Sequence, residues 1–343
     1  MLGGEKYGSV ALCRNFPPKS PSMKQLAVVA GGYTGEHEIS LKSASMILEH
    51  IDRTRWAPTL VHIDHDGWRA ETEAGTFPIQ REDFSYVSDG NKHTFDAVFV
   101  IIHGTPGEDG KLQGYFDLIG MPYSTGPTTS MALTFSKAYC NHYLQNQGFK
   151  TAKNVLVRAN DHYSTSEIVR ILDLPVFVKP NGGGSSLATT KVDVKEGLHK
   201  AIDAALTVDR EVIIEGFLPG TEVTCGVIEI DGTPAALPVT EIVSDGEFFD
   251  YEAKYQGKSN EITPARISEA MMAEVQRQSV RVWELLDFRG MIRVDFMIED
   301  EVPYLIEVNS VPGFSAASII PQQAAAVGMD TTTLINHVLA ALG

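Results

Sequence analysis

The stretch Met291-Ile-Arg-Val-Asp-Phe-Met-Ile-Glu-Asp-Glu-Val-Pro-Tyr-Leu-Ile-Glu-Val-Asn309 decides how this chain folds. In its first half the apolar residues Ile292, Val294, Phe296 and Ile298 alternate with the others. Strand periodicity then puts Arg293 and Asp295 together on the opposite face. In the second half Tyr304, Ile306 and Val308 share one face, and Leu305, Glu307 and Asn309 share the other. The acidic run Glu299-Asp300-Glu301 turns the chain between them. A hairpin centred on Glu301 sets Asp295 opposite Glu307 and Arg293 opposite Asn309. Carboxylates directly opposed in a sheet repel each other unless a cation lies between them. Oxygen donors from Asp, Glu and Asn suit magnesium, which usually also takes phosphate oxygens. Taken alone, the same pattern equally describes a solvated polar face on an ordinary hairpin.

Working outward from the hairpin, an amphipathic helix precedes it at 267–286, with Ile267, Met271, Val275, Val282 and Leu286 at helical spacing. Earlier still come strands at Glu222–Ile230 and Ala236–Val243. A middle block, 124–215, carries Pro175–Pro180 as a short strand, then the loop Asn181-Gly-Gly-Gly-Ser-Ser186, then the buried strand Val212–Glu215. A glycine-rich loop after a strand lets backbone N–H groups approach phosphate, and Lys179 adds a point charge. The loop matches neither GxxxxGK[ST] nor GxGxxG, so alone it also fits a surface loop. Glu215 ends a buried strand and needs a partner there. The first block, 23–123, has buried strands at Leu26–Ala30 and Ala97–Ile102. Each ends in a Gly-containing loop, 31–35 and 103–110, and a helix at 38–51 presents Ile39, Met46 and Ile47. Alternating strands and helices predict a parallel sheet, with ligands beyond the carboxyl ends of its strands.

The 343 residues suffice for two or three domains, and the net charge of −16 argues against nucleic acid or an anionic membrane as partner. No apolar run reaches the roughly 20 residues that cross a bilayer. Cys13, Cys140 and Cys225 are widely spaced, which fits a reducing cytoplasm better than a disulfide framework. His62 and His65 are the nearest approach to metal spacing, but no further ligand lies nearby in sequence, so they read as polar residues beside a turn. Residues 1–22 hold Gly3-Gly4, Pro17-Pro18 and Pro21 before a second Met at 23, and read as a tag or a disordered extension.

From Met23 onward the chain resembles the D-alanine–D-alanine ligases of the ATP-grasp superfamily. The matching stretches are Gly31-Gly-Tyr-Thr-Gly-Glu-His-Glu-Ile-Ser40, His103-Gly-Thr-Pro-Gly-Glu-Asp-Gly110, Lys179-Pro180 with Gly184-Ser-Ser186, Phe249-Asp-Tyr-Glu-Ala-Lys-Tyr255, Arg293-Val-Asp295 and Glu307-Val-Asn-Ser-Val-Pro-Gly313. Each is weak alone, and their order and spacing together are specific. The resemblance implies an α/β chain that is α+β in its ATP-grasp part. An N-terminal parallel-sheet pre-ATP-grasp domain (23–123) would precede a two-domain ATP-grasp fold (124–215 and 216–343).

The resemblance also implies site roles. Lys137 and Lys179 would meet the ATP phosphates, and Glu215 and Glu222 the adenine and ribose. Asp295, Glu307 and Asn309 would hold a pair of magnesium or manganese ions. Glu36 would take the amino group of the first D-alanine, near His103. Arg293 and the Gly313 N–H would stabilise the tetrahedral oxyanion. Lys254 and Ser318 would bind the carboxylate of the second D-alanine. Ser185 and Tyr255 would join Glu36 in a network closing a loop over the site. Tyr255 matches peptide-forming relatives, where many ester-forming ones carry Phe. A homodimer in the cytoplasm is implied too. The rival readings are a D-alanine–D-lactate ligase, another ATP-grasp carboxylate–amine ligase, and a catalytically silent nucleotide-binding protein. The last predicts a broken metal set, which Arg293, Asp295, Glu307 and Asn309 do not show.

Overall fold

Strand β1 (Lys24–Gly31) is buried from Leu26 onward and is the second strand from one edge of the first sheet, in the computed structural model that describes residues 23–184, 188–244 and 259–342. After it come α1 (His37–His50), β2 (Trp56–Asp64), β3 (Gly67–Thr72), β4 (Gly75–Pro78), the small ribbon of β5 (Tyr86–Ser88) and β6 (Asn91–His93), β7 (Ala97–Val100) and α2 (Lys111–Ile119). The sheet order is β4-β3-β2-β1-β7, with β1 parallel to both β2 and β7. The expected parallel sheet is therefore the β2-β1-β7 side of it. Tight turns entering Gly67 and Gly75, with φ of 141° and 132°, fold β3 and β4 back antiparallel at one edge.

The buried face of α1 keeps the expected Ile47 but otherwise differs from the expected one. Ser40, Ser43, Ala44 and Ile47 face inward, while Ile39 and Met46 are only partly covered. Small side chains let the helix lie close to the sheet. Ser40 Oγ donates to the Ile101 carbonyl (2.7 Å) and accepts from the Gly31 N–H (2.9 Å), so its burial leaves no polar atom unmet.

The middle of the chain supplies α3 (Thr128–Phe135), α4 (Lys137–Asn146), β8 (Asn154–Arg158), α5 (Thr165–Leu172), β9 (Val176–Pro180), β10 (Thr190–Val192), α6 (Leu198–Leu206) and β11 (Glu211–Gly216). The second sheet, β10-β9-β11-β8, is antiparallel. Val176, Val178, Val212 and Ile214 on one face pack with Ile168, Leu172 and Ile202 of α5 and α6. The ladder pairs Ile213 with Lys179 and Glu215 with Phe177, so these four share the other face. Helices α3 and α4 pack against the third sheet instead, and Thr151 bridges Leu305 in that direction.

The third sheet runs β15-β14-β12-β16-β17, with β13 paired to β12. Its elements are β12 (Thr221–Ile230), β13 (Thr233–Ala236), β14 (Thr240–Ser244), β15 (Ser259–Ile262), α7 (Glu269–Leu285), β16 (Met291–Glu299), β17 (Val302–Asn309), α8 (Ile319–Ala326) and α9 (Thr331–Ala340). The single strand expected at Ala236–Val243 is two strands, broken around Pro238, which has no N–H to give a ladder. Helix α7 starts at Ser268, whose hydroxyl accepts the Met271 N–H, and it buries Met271, Val275 and Val282 as expected.

The hairpin of β16 and β17 pairs Asp295 with Glu307 and Arg293 with Asn309. It does so by a different route from the one its periodicity suggests. The turn is Asp300-Glu301, with Glu299 paired to Val302, and a regular ladder from there would oppose Asp295 to Ile306. A shift between Asp295 and Phe296 inserts one extra residue on β17. The phase of β17 changes at that point. Leu305, opposite Phe296, lies on the core side with Val308 rather than with Glu307. Without the bulge, Glu307 would stand opposite the fully buried Val294 and face the core.

Candidate active site

The three sheets surround a cavity of about 1080 Å³. On the side of the second sheet, Lys179 Nζ lies 2.5 Å from Glu215 Oε2, and Asn141 Nδ2 donates to Glu215 Oε1 at 3.0 Å. The partner that the end of a buried strand demanded is therefore this lysine and amide. Burial alone would push the Lys179 ammonium down, but Glu215, Glu307 and Glu222 hold it above its ordinary value. Lys137 opens α4, donates to the Gly183 carbonyl (2.6 Å) and lies 3.6 Å from Glu307. Asn181 ties these two regions together. Its carbonyl accepts the Lys137 N–H (3.0 Å) and its side-chain oxygen the Ala138 N–H (2.9 Å), capping α4 from across the gap. Glu222, near the start of β12, also lines the cavity.

On the hairpin, Asp295 is held from three directions. Arg293 donates to both its oxygens (2.9 and 2.8 Å), Asn309 Nδ2 donates to Oδ2 (2.9 Å) and Thr224 Oγ1 to Oδ1 (2.5 Å). Burial opposes the Arg293 charge, yet Asp295, Glu307 and Glu261 raise its proton affinity above that of a free guanidinium. Arg293 and Lys137 thus offset the opposed carboxylates. Among the described residues no cluster of three or more His, Cys, Asp or Glu forms a metal cage. Two carboxylates and one amide oxygen are a partial, hard-oxygen set. That suits a small divalent cation completed by phosphate and water, as magnesium is.

The third wall carries the remaining expected residues. Glu36 sits at the N-terminus of α1, and a Cβ placed on Gly184 would lie 3.4 Å from its carboxylate, so the glycine loop closes against it. His103 is buried, with Nδ1 2.9 Å from the Val311 carbonyl and Nε2 3.4 Å from Ser43 Oγ. A carbonyl only accepts, so Nδ1 carries the proton and Nε2 faces the Ser43 hydroxyl. Gly313 and Ser318 both line the cavity, and Ser318 Oγ accepts the Ser315 N–H (2.8 Å). Ser185, Lys254 and Tyr255 lie outside the described residues.

Sequence reasoning missed Glu108. It accepts the Gly104 N–H (2.7 Å) and the Val311 N–H (3.2 Å) and lines the same cavity. Loss of water around it, with Glu36 close by, pushes its carboxyl up to about 7 against the pull of those N–H groups and of Lys137. The signal for it was an acidic side chain set among Gly104, Gly107 and Gly110, a loop rich in exposed backbone donors. The side chains of His62 and His65 have neighbours of their own. His62 Nε2 meets His37 at 3.1 Å and His65 stacks on Tyr33.

Comparison with known proteins fixes the family. Residues 25–126 match the pattern of the D-Ala D-Ala ligase N-terminus and residues 143–340 that of its C-terminus. The chain belongs to the D-alanine–D-alanine ligase family. It is 45% identical over 318 residues to the D-alanine–D-alanine ligase of Flavobacterium johnsoniae, covering 92% of this chain and 98% of that one. It is 47% identical over 317 residues to the ligase of Porphyromonas gingivalis, covering 92% and 96%. Among solved structures, the VanG D-Ala:D-Ser ligase of Enterococcus faecalis superposes with a TM-score of 0.84 at 30% identity, over 94% of this chain and 100% of that one. The D-alanine–D-alanine ligase of Coxiella burnetii gives 0.83 at 25% identity, over 93% and 94%. The fold is thus that of an ATP-dependent D-alanine–D-alanine ligase family, with a mixed sheet ahead of two antiparallel ones. No described helix is long and apolar enough to cross a membrane.

Proposed function

We propose that this chain uses ATP to join two D-alanines, by way of D-alanyl phosphate, for cell-wall synthesis. The observation that carries the reading is the meeting, around one cavity, of two partly buried lysines, the Asp295–Glu307–Asn309 set with Arg293, and Glu36. A carboxylate is a poor acceptor for an amine, and phosphorylation supplies a leaving group. Lys137 and Lys179 take the ATP phosphates, exchanging the carboxylates that now neutralise them. Glu215 and Glu222 then meet adenine and ribose. Asp295, Glu307 and Asn309 hold magnesium or manganese, which when bound neutralises charge on the transferring phosphoryl group. Glu36 holds the first ammonium. Arg293 and the Gly313 N–H stabilise the oxyanion when the second amine attacks. Ser318, with Lys254, takes the second carboxylate, while Ser185 and Tyr255 help exclude water from a hydrolysable acyl phosphate.

The three sheets support a division at 23–123, 124–215 and 216–343, although the last boundary falls inside β11. The family resemblance supports a homodimer, and the buried free thiols of Cys140 and Cys225 fit the cytoplasm. Tyr255 favours an amine as the second nucleophile. The experiment is ATP and magnesium with D-alanine against a panel of D-serine, D-lactate and L-amino acids, reading phosphate and product together. D-Ala-D-Ala as the dominant product is expected. Phosphate release that ignores D-alanine would overturn the reading, and a dominant ester or D-Ala-D-Ser product would move the chain to a sibling activity.

A further inference from the structure

The backbone from Val311 to Phe314 crosses the cavity wall between β17 and α8, and among the described residues no strand pairs with it. It is instead gripped at both ends by side chains from the first sheet's loops and helix. Val311 gives its N–H to Glu108 (3.2 Å) and receives at its carbonyl the Nδ1–H of His103 (2.9 Å). Phe314, fully buried, gives its N–H to Ser43 Oγ (3.2 Å), and Ser43 faces His103 Nε2 (3.4 Å). Gly313 lies between these anchors, so its peptide is bracketed by a connected set of three side chains.

We propose that Ser43, His103 and Glu108 form a clamp across the two halves of the site that fixes the Gly313 backbone for the reaction, with Glu108 a positioning residue. This rests on the ligase reading above. A carboxylate is suited to the place. The Gly104 and Val311 N–H groups belong to segments some 200 residues apart, and one acceptor with two oxygens satisfies both. A glutamine offers one oxygen and one donor, so one N–H would face another donor. Donors held in place before the reaction stabilise developing charge without reorganising, and a displacement of about 1 Å costs on the order of 100-fold in rate.

The test uses the full chain with ATP and D-alanine. Glu108→Gln should lower kcat by roughly 10- to 100-fold and leave the KM for ATP unchanged, because the Lys179–Glu215 side is untouched. Ser43→Ala removes the other anchor and should act the same way. The double variant should fall little below the worse single one, since the parts act as a unit. If Glu108→Gln does not accumulate as folded protein, the Ser43→Ala result decides alone. Unchanged kcat in the variants, or kcat and ATP KM worsening together with the unfolding midpoint, overturns the clamp. A native protein that makes no product from D-alanine overturns the ligase reading, and the positioning role with it.

Discussion

Asp295 and Glu307 face each other across the hairpin, yet their surroundings make them unequal. Asp295 is almost wholly enclosed and is the bidentate partner of Arg293, whose raised proton affinity keeps it charged in a site that would disfavour charge. Removing that partner strips a largely enclosed cation of its hydrogen-bonded counter-charge, with only the more distant Glu307 and Glu261 left, which costs on the order of 3 kcal/mol. Glu307 is a quarter exposed, and its neighbour Lys137 has the Gly183 carbonyl as a second partner. Loss of its charge costs about 1 kcal/mol or less. Asp295→Asn is therefore expected to lower the urea midpoint strongly as well as to abolish turnover. Glu307→Gln should keep its midpoint and still lose on the order of 100-fold or more in turnover, as a proposed metal ligand neutralised. Urea unfolding followed by circular dichroism, beside a turnover assay, separates the two. Near-normal turnover of Glu307→Gln at ordinary magnesium would remove its metal role.

The turn that makes this hairpin carries strain of a simple kind. Asp300 and Glu301 both adopt positive φ, 49° and 59°, a region that glycine, asparagine and aspartate tolerate and glutamate does not favour, so the strain falls on Glu301. Glu301→Gly is expected to stabilise the chain, on the order of 1 kcal/mol after the added freedom of the unfolded state is counted. A higher urea midpoint with unchanged turnover checks it, and a lower midpoint would show that the Glu301 side chain contributes more than its backbone loses. The same hairpin shows what was legible in the sequence. β16 reads correctly because its alternation is unbroken over Ile292, Val294 and Phe296. β17 gives the right pairing but the wrong face for Leu305, because a bulge is a property of two strands and leaves no mark in the period of one. In α1 the large apolar residues Ile39 and Met46 carry the periodicity, whereas close packing selects Ser40, Ser43 and Ala44 beside Ile47. The Lys179–Glu215 and Lys137–Glu307 pairs join residues far apart in sequence, so composition offered the charges but not the partners. Glu108 was passed over because its role lies in backbone groups that every loop possesses.

Over the whole molecule, the hydrophobic interior is not shared equally. Leu26, Ala44 and Ile47 of the first sheet's layer belong to one continuous buried cluster with Val294, Leu305 and Leu334 of the third. The second sheet keeps a cluster of its own, built from Val176, Val178, Ile202 and Ile214. Packing thus joins the first and third layers into one cooperative unit and leaves the second tied to them chiefly through polar contacts such as Lys137 with Gly183 and Asn181 with Ala138. A nucleotide in the cavity would bridge the two units, since Lys179 and Glu215 lie on one side and Asp295 and Glu307 on the other. Calorimetry without ligand is expected to show an early transition from the second-sheet unit ahead of the main one. ADP with magnesium at a hundredfold excess over its Kd stabilises the bound state by about 2.7 kcal/mol, which should raise the early transition until the two merge. Lys179→Met should keep the early transition and lose most of that shift, because the phosphates lose their point charge and Glu215 its partner. Hydrogen exchange gives an independent reading, with protection in β9 and β11 rising on ligand addition more than in β1 and β7. A single transition at every ligand concentration would mean that the polar contacts couple the layers as tightly as the shared core does, and a full shift retained in Lys179→Met would take that lysine out of nucleotide binding.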